Sequence, residues 1–112
     1  MVLLRFTKFI NKVMDHSKVQ TIRRPRKNPI KLGNQLQVYV LVKIGEATVT
    51  AIKRKKLCEI TEEEALADGF ASLERCRLGL IEMHNLKSLD EEFDIIYFYP
   101  SWEKKRIDKL HV

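Results

Sequence analysis

Short apolar runs rich in strand-forming residues recur along the chain. "VLLRF" (Val2–Phe6) and "VQTIR" (Val19–Arg23) are as long as ordinary strands. "EFDIIYFYP" (Glu92–Pro100) is a longer run that ends at a proline. The segment "QLQVYVLVK" alternates and places four apolar residues on one face: Leu36, Val38, Val40 and Val42. "GEATVTAIKRKK" follows it after a turn that we expect near Gly45, which predicts a β-hairpin.

Three short helices are predicted between these strands. Apolar residues recur at helical spacing in the first and third of them: Phe9, Ile10, Val13 and Met14, then Leu73, Cys76, Leu80 and Met83. The middle helix begins with Thr61 as N-cap and Glu64 three residues later, a capping box, and Gly69 is suited to end it. Ser72 is then the N-cap of the third helix, whose apolar stripe we expect in the core.

The order of these elements predicts an α+β domain. Few strands, widely separated in sequence, favour a small β-barrel, closed or nearly closed, of five to six strands with three short flanking helices. A chain of 112 residues is long enough for one core. We therefore expect one domain over residues 1–99, followed by a tail or short helix over residues 100–112.

Composition narrows the class of protein. Hydrophobic residues make up 45% of the chain and charged residues 32%, as in folded soluble proteins, and no apolar run reaches the roughly 18 residues of a membrane span. Cys58 and Cys76 form no C-x-x-C motif, and His16, His84 and His111 share no ligand spacing with them. We expect reduced thiols, a cytoplasmic location, no metal, no cofactor and no membrane partner.

Charge is distributed unevenly along the chain. Residues 1–56 contain 14 Lys or Arg against Asp15 and Glu46, whereas residues 57–112 contain 7 against 13 acids. Such asymmetry favours a polyanionic partner, RNA first and DNA second. The basic loop Arg24–Lys31 contains two prolines, which reduce the ordering entropy lost on binding. The residues that we expect to contact nucleic acid are Lys18, Arg23, Arg24, Arg26, Lys27, Lys31, Lys53, Arg54, Lys55 and Lys56.

Two longer segments go beyond generic patterning. "SKVQTIRR" followed by "KLGNQLQVYV", and later "LCEITEEEALADGFASLERC", are similar to the two signatures of ASCH domains, which have a PUA-like β-barrel fold. "FDIIYF" is similar to the final strand of that family, so the resemblance covers about residues 2–98. It implies a PUA-like barrel that binds RNA in a cleft between the barrel and its helices.

The resemblance also implies an enzymatic alternative. Small bacterial ASCH proteins are amidohydrolases that remove the acetyl group from 4-acetylcytidine, and their catalytic set falls on Lys18, Thr21 and Asp68 of this chain. In that chemistry Thr21 attacks, Lys18 activates it, and the acid handles proton transfer to the leaving amine. The chain departs from the pattern at Asp68, where the family has Glu, and at Asn34, where it has Asp.

Strand geometry constrains this set. Residues three apart in a regular strand point to opposite faces, so Thr21 shares a face with Arg23 rather than with Lys18. Lys18 and Thr21 can border one cleft only if Lys18 lies in the turn before the strand. Ser17 and the preceding helix end favour that placement.

Three functions follow, in order of preference. The basic loop favours a domain that binds single-stranded or structured RNA in RNA metabolism or modification, and we expect a monomer or weak dimer. The Lys18, Thr21 and Asp68 set favours an amidohydrolase acting on an acylated cytidine. A protein-interaction adaptor with an acidic C-terminal half is the third, and no specific feature of the sequence favours it.

Overall fold

The structure, a computed structural model, describes residues 2–104 and contains one five-stranded sheet with three helices. The strands are β1 (Val2–Arg5), β2 (Gln20–Arg23), β3 (Gln35–Val40), β4 (Val42–Lys56) and β5 (Glu92–Pro100). The helices are α1 (Ile10–Met14), α2 (Glu62–Asp68) and α3 (Leu73–His84), with a 3-10 turn at Leu57–Glu59. The predicted α+β class with five strands and three short helices is confirmed. Within residues 2–104, no helix combines the length and the apolar content needed to cross a membrane.

The sheet curves into a half-barrel with strand order β1-β3-β4-β5-β2. β1 runs parallel to β3, and the other neighbouring pairs are antiparallel. β1 and β2 are its two edges, and side chains connect them: Arg23 Nη2 donates to Arg5 O at 2.7 Å, and Arg26 Nη2 donates to Leu3 O at 3.2 Å. We call this junction the seam. The backbone ladder of the half-barrel is therefore open between β1 and β2, and side chains bridge the gap.

Two hydrophobic cores lie on opposite faces of the sheet. Ile96 and Phe98 of β5 belong to the core inside the barrel. Phe93 and Ile95 belong to the core beneath α2 and α3 on the outer face. Because both faces of β5 are buried along this stretch, its sequence is a nearly continuous apolar run rather than an alternating one.

The predicted position of the hairpin turn is wrong. The chain turns at Leu41, which has a left-handed φ of 67°, so that Val40 pairs with Val42. Val42 is therefore 68% exposed instead of lying on the buried face. Gly45 lies within β4 opposite Val38, next to a bulge. A Cβ there would lie 2.9 Å from Cε3 of Trp102, so Gly45 serves close packing rather than the turn.

The helix boundaries follow the predicted capping residues. The Thr61 hydroxyl accepts from Glu64 N, and Gly69 ends α2 with φ 117°. The Ser72 hydroxyl accepts from Arg75 N at the start of α3. The prediction that Met83 is core is wrong: its side chain is 50% exposed. The last turn of α3 borders an open cavity there instead of covering the sheet.

The residues immediately after β5 pack onto the barrel. Ser101 N donates to Glu46 O at 2.8 Å, and the Ser101 hydroxyl accepts from Glu46 N at 3.1 Å. Trp102 is buried against Gly45 and against His16, whose ring centroid is 5.7 Å from that of the indole. The rest of the predicted tail, residues 105–112, lies outside the described residues.

Candidate functional site

A cavity of about 140 Å³ lies beside the seam and the helices. Its lining comes from Arg5–Phe9, Lys18, Thr21–Arg23, Phe70, Leu80, Met83 and His84. Among residues 2–104, four Lys or Arg side chains border it and no Asp or Glu does. The cavity is thus a cationic space with aromatic walls, which suits a flat ligand attached to negative charge.

Lys18 and Asp68 form a buried ion pair at the wall of this cavity. Lys18 lies in the connection between α1 and β2, as the catalytic arrangement requires, and Asp68 is the last residue of α2. Lys18 Nζ lies 2.7 Å from Asp68 Oδ1 and donates to Asp68 O at 2.6 Å, although only 4% of its side chain is exposed. Asp68 Oδ1 also accepts from Ile22 N at 3.0 Å. Asp68 does not line the cavity, so its carboxylate holds Lys18 from behind.

The environment of Lys18 alters its acidity. Burial lowers the pKa of Lys18, the Asp68 carboxylate acts in the opposite direction, and the nearby charge of Arg23 lowers the pKa further. The aromatic rings of Phe6 and Phe9 lie 5.6 and 5.3 Å from Nζ and contribute to the desolvation. The net shift is downward, toward the range in which a lysine can act as a base.

Thr21 and Arg23 lie side by side on β2, as strand alternation predicts. Arg23 Nε donates to the Thr21 hydroxyl at 2.9 Å, and the guanidinium lies 4.9 Å from the centroid of Phe6. Burial lowers the pKa of Arg23. The structure therefore brings Lys18, Thr21 and Arg23 to one cavity. Thr21 and Lys18, the nucleophile and base of the amidohydrolase hypothesis, have different hydrogen-bond partners. Thr21 accepts from Arg23, and Lys18 donates to Asp68.

The sequence reasoning missed half of the cavity wall. The segment "RFTKF" (Arg5–Phe9) alternates cations with aromatic rings, and that pattern was the available signal. Phe70 and His84 complete the wall from the helical side. Burial lowers the pKa of His84, and the charges of Arg24 and Arg23 lower it further. The positions of Phe70 and His84 depend on the packing of the helices against the sheet, which local sequence spacing does not determine.

Besides Lys18, three of the predicted nucleic-acid contacts form ion pairs with acids of the protein. Arg24 donates to Glu92 O at 2.6 Å and to Glu91 Oε2 at 3.0 Å. Two further pairs are short: Arg54 Nε lies 2.8 Å from Asp94 Oδ1, and Lys55 Nζ lies 2.9 Å from Glu64 Oε2. An acid already neutralises each of these cations, so each has less charge to offer a phosphate.

Other predicted contacts keep an uncompensated charge. Five of the predicted contacts are exposed and form no ion pair with a carboxylate in the described part of the chain: Arg26, Lys27, Lys31, Lys53 and Lys56. The first three belong to the loop that joins β2 to β3. The loop is anchored by buried Ile30 and by the hydrogen bond from Lys31 N to Asn34 Oδ1 at 2.8 Å. Lys27 and Lys31 therefore project from a supported backbone, whereas Arg26 is also held by its hydrogen bond to Leu3 O.

The thiols and potential metal ligands form no reactive centre in the described region. Burial raises the pKa of Cys76 to about 12, with a further contribution from the Asp68 charge. Cys58 is exposed and forms no disulfide with the other cysteine. Over residues 2–104, no three His, Cys, Asp or Glu side chains are grouped as metal ligands.

Comparison with known proteins identifies the fold. No family model matches the chain, and no curated protein matches its sequence. Among solved structures, an ASCH domain from Lactobacillus crispatus matches with a TM-score of 0.63 at 12% identity, over 91% of this chain and 81% of that one. The chain has the fold of an ASCH domain.

Two further structures support this assignment. ASCH from Zymomonas mobilis matches with a TM-score of 0.61 at 15% identity, over 96% of this chain and 74% of that one. A protein from Enterococcus faecalis, described by the family model DUF984, matches with a TM-score of 0.70 at 12% identity, over 100% of this chain and 82% of that one. The predicted resemblance is thus confirmed at the level of the fold.

Proposed function

We propose that this ASCH-fold protein binds RNA, holding one unpaired base in the cavity and neighbouring phosphates on the basic loop. The observation that carries this proposal is the composition of the cavity wall. Arg5, Lys8, Lys18 and Arg23 border it together with aromatic rings, and no acid of the described chain faces it. Asp68 compensates only Lys18, which leaves the cavity with a positive charge.

The size of the cavity supports a single base as the occupant. Its volume of about 140 Å³ is close to the roughly 150 Å³ of a cavity that holds one benzene ring, and it is smaller than ordinary ligand pockets. Bases of single-stranded RNA can be splayed out and stacked on aromatic or guanidinium planes, whereas bases in a duplex cannot. The Arg23 guanidinium, supported by buried Phe6 at 4.9 Å, and the half-buried rings of Phe9 and Phe70 provide surfaces of both kinds.

Electrostatics of the loop supports the phosphate contacts. Arg26, Lys27 and Lys31 follow β2 closely, and their charges are not paired with acids in the described structure. A phosphate backbone that binds them releases condensed counterions, which makes binding strongly salt-dependent.

A salt titration of binding tests the proposal. Fluorescence anisotropy with a labelled single-stranded RNA should show binding at low salt that weakens as salt rises. The Lys27→Ala/Lys31→Ala variant should flatten the slope of log K against log salt by about 1.4, since each single-strand phosphate contact contributes about 0.7.

The matched control is Lys87→Ala/Lys104→Ala, which removes the same charge from two exposed lysines outside the loop, neither of which forms an ion pair among the described residues. For this control variant, the slope of log K against log salt should change by less than about 0.7, half of the change expected for Lys27→Ala/Lys31→Ala. Absence of binding at low salt, or equal slopes for the two double variants, would refute the RNA proposal.

A second candidate function is hydrolysis of an acylated cytidine. The Lys18 amine, whose pKa is lowered, and the Thr21 hydroxyl border the same cavity, and this specific observation favours it. The Thr21 oxygen would attack the acetyl carbon as its proton passes to Lys18. The carbon–nitrogen bond then breaks, the amine leaves with a proton, and water releases acetate from the acyl-threonine. The Asp68 ion pair opposes this route because it stabilises the charged amine.

Acetate release from 4-acetylcytidine tests the enzymatic candidate. Activity that disappears in Thr21→Ala and in Lys18→Ala would establish it. Asp68→Glu restores the acid of the active ASCH relatives and is the variant most informative about a weakened site. If neither the wild type nor Asp68→Glu releases acetate, the enzymatic candidate is excluded.

A further inference from the structure

Part of the outer sheet face is left uncovered by the helices. Strand alternation places Phe93, Ile95, Tyr97 and Tyr99 on the outer face of β5. Phe93 and Ile95 are buried in the outer core, Tyr97 is half-buried at its margin, and Tyr99 is 72% exposed. Tyr99 is the only aromatic residue among the exposed large hydrophobic side chains of the described chain. The Tyr99 ring is therefore available for contact with a ligand.

The neighbouring strand supplies a cation to this surface. Lys53 of β4 lies with its Nζ 5.4 Å from the centroid of the Tyr97 ring. Lys53 forms no ion pair among the described residues, unlike Lys55 on the same strand, which is paired with Glu64. We call Lys53, Tyr97 and Tyr99 the tyrosine platform.

The other neighbours of the platform are mostly small or uncharged. Ala51 pairs with Tyr97, and Thr48 pairs with Tyr99. Gln35 Nε2 donates to the Thr48 hydroxyl at 2.9 Å, which adds an amide at the margin. Two acids of α2, Glu63 and Glu64, border the same groove as Lys53 and Tyr97, and Glu64 is paired with Lys55 at 2.9 Å. Glu46, two residues before Thr48, lies 3.6 Å from Lys43 and is compensated by it.

The spacing of the two tyrosines fits neighbouring bases of one strand that are splayed apart rather than stacked on each other. Residues two apart on a strand are separated by about 6.6 Å, close to twice the roughly 3.4 Å rise of stacked bases. Aromatic rings on a sheet face beside an uncompensated cation are a recurrent platform for single-stranded nucleic acids. Stacking needs an exposed ring face, which the pairing of bases in a duplex does not provide.

We propose that the tyrosine platform is a second contact surface for single-stranded RNA, in which bases stack on Tyr99 and Tyr97 and Lys53 contacts the intervening phosphate. This inference rests on the proposed RNA binding and names its substrate class: RNA that is single-stranded beyond the base held in the cavity. α2 separates the two surfaces, since its Asp68 bonds Lys18 while its Glu63 and Ala67 border the platform.

Binding of Tyr99 variants to two RNAs tests the platform. Tyr99→Ala should weaken binding of an unstructured single-stranded RNA about tenfold, as expected for the loss of one stacked base. Tyr99→Phe keeps the ring and should bind like the wild type. Because no charge is removed, the slope of log K against log salt should not change. Binding of a blunt RNA duplex should be unaffected by either substitution.

The outcomes separate this inference from the proposed function. If Lys27→Ala/Lys31→Ala weakens binding while Tyr99→Ala leaves it unchanged, the platform is refuted and RNA binding stands. If Tyr99→Ala weakens duplex and single-stranded binding equally, the contact is not stacking and the platform is likewise refuted. A wild type that binds no RNA at low salt removes both proposals. Unchanged Trp102 fluorescence verifies that the exposed substitution leaves the fold intact.

Discussion

Replacing Lys18 with Met is expected to destabilise the folded protein by about 2–3 kcal/mol. Removal of one partner of a buried ion pair typically costs about 3–5 kcal/mol, because the remaining charge is left without compensation. Here Asp68 would keep the hydrogen bond from Ile22 N, which places the cost near the lower end of that range. The methionine sulfur would lie between Phe6 and Phe9, and sulfur–aromatic contacts of about 0.3–1.5 kcal/mol offset part of the loss.

A double variant isolates the charge from the packing. Lys18→Met/Asp68→Asn leaves no charge at either of these two positions, and the Asn side-chain oxygen can still accept from Ile22 N. We expect it to recover most of the stability lost in Lys18→Met, since apolar or neutral replacements of both partners are often tolerated. The coupling between the two positions should therefore exceed about 1 kcal/mol.

Urea unfolding followed by tryptophan fluorescence measures these differences. Trp102 is the only tryptophan of the chain and is buried against the barrel, so its emission reports on the native fold. The slope of unfolding free energy against urea should be the same in all variants, so the midpoints give the stability changes directly. A loss below about 1 kcal/mol in Lys18→Met, or strictly additive single changes, would contradict the assignment of the pair as a coupled buried unit.

The remaining predictions concern acidity, thiol reactivity and packing. Burial lowers the pKa of Lys18, so between that lowered pKa and 10.5 the unfolded chain binds a proton that the folded protein has released. The free energy of unfolding should therefore rise with pH in this range. The Lys18→Met variant should lack this rise. A thiol reagent should label Cys58 in the native protein and reach Cys76, whose pKa is about 12, only on unfolding; rapid double labelling would contradict its burial. Gly45→Ala should destabilise the protein by about 1–3 kcal/mol and alter Trp102 emission, because its Cβ would lie 2.9 Å from the indole; unchanged urea midpoints would refute this.

Local signals predicted the elements of the fold well. The capping residues Thr61 and Ser72 begin helices where the sequence places them, because capping depends on groups three residues apart. The hairpin shows where local reasoning fails. A glycine usually marks a turn, but here Leu41 adopts the left-handed conformation while Gly45 accommodates Trp102, a residue distant in sequence.

The site was predictable only in part for the same reason. Alternation along β2 correctly placed Thr21 beside Arg23, and the ASCH resemblance named Lys18 and Asp68, which are 50 residues apart. Charge counting treated all cations alike. It could not show that Arg54 is held by Asp94, because that pairing depends on the register between β4 and β5.

The seam between β1 and β2 has a consequence for local motion. No backbone hydrogen bond joins these two strands within residues 2–104, and side-chain bonds from Arg23 and Arg26 connect them instead. Two such bonds are worth about 1–3 kcal/mol together, less than the global stability of a typical domain. Opening between these edges breaks no backbone ladder, so we expect amide hydrogens along β1 and β2 to exchange faster than those of the interior strands β3 to β5. Arg5 and Arg23 also border the cavity, so we expect the same opening to widen its entrance and to admit a ligand larger than the resting volume.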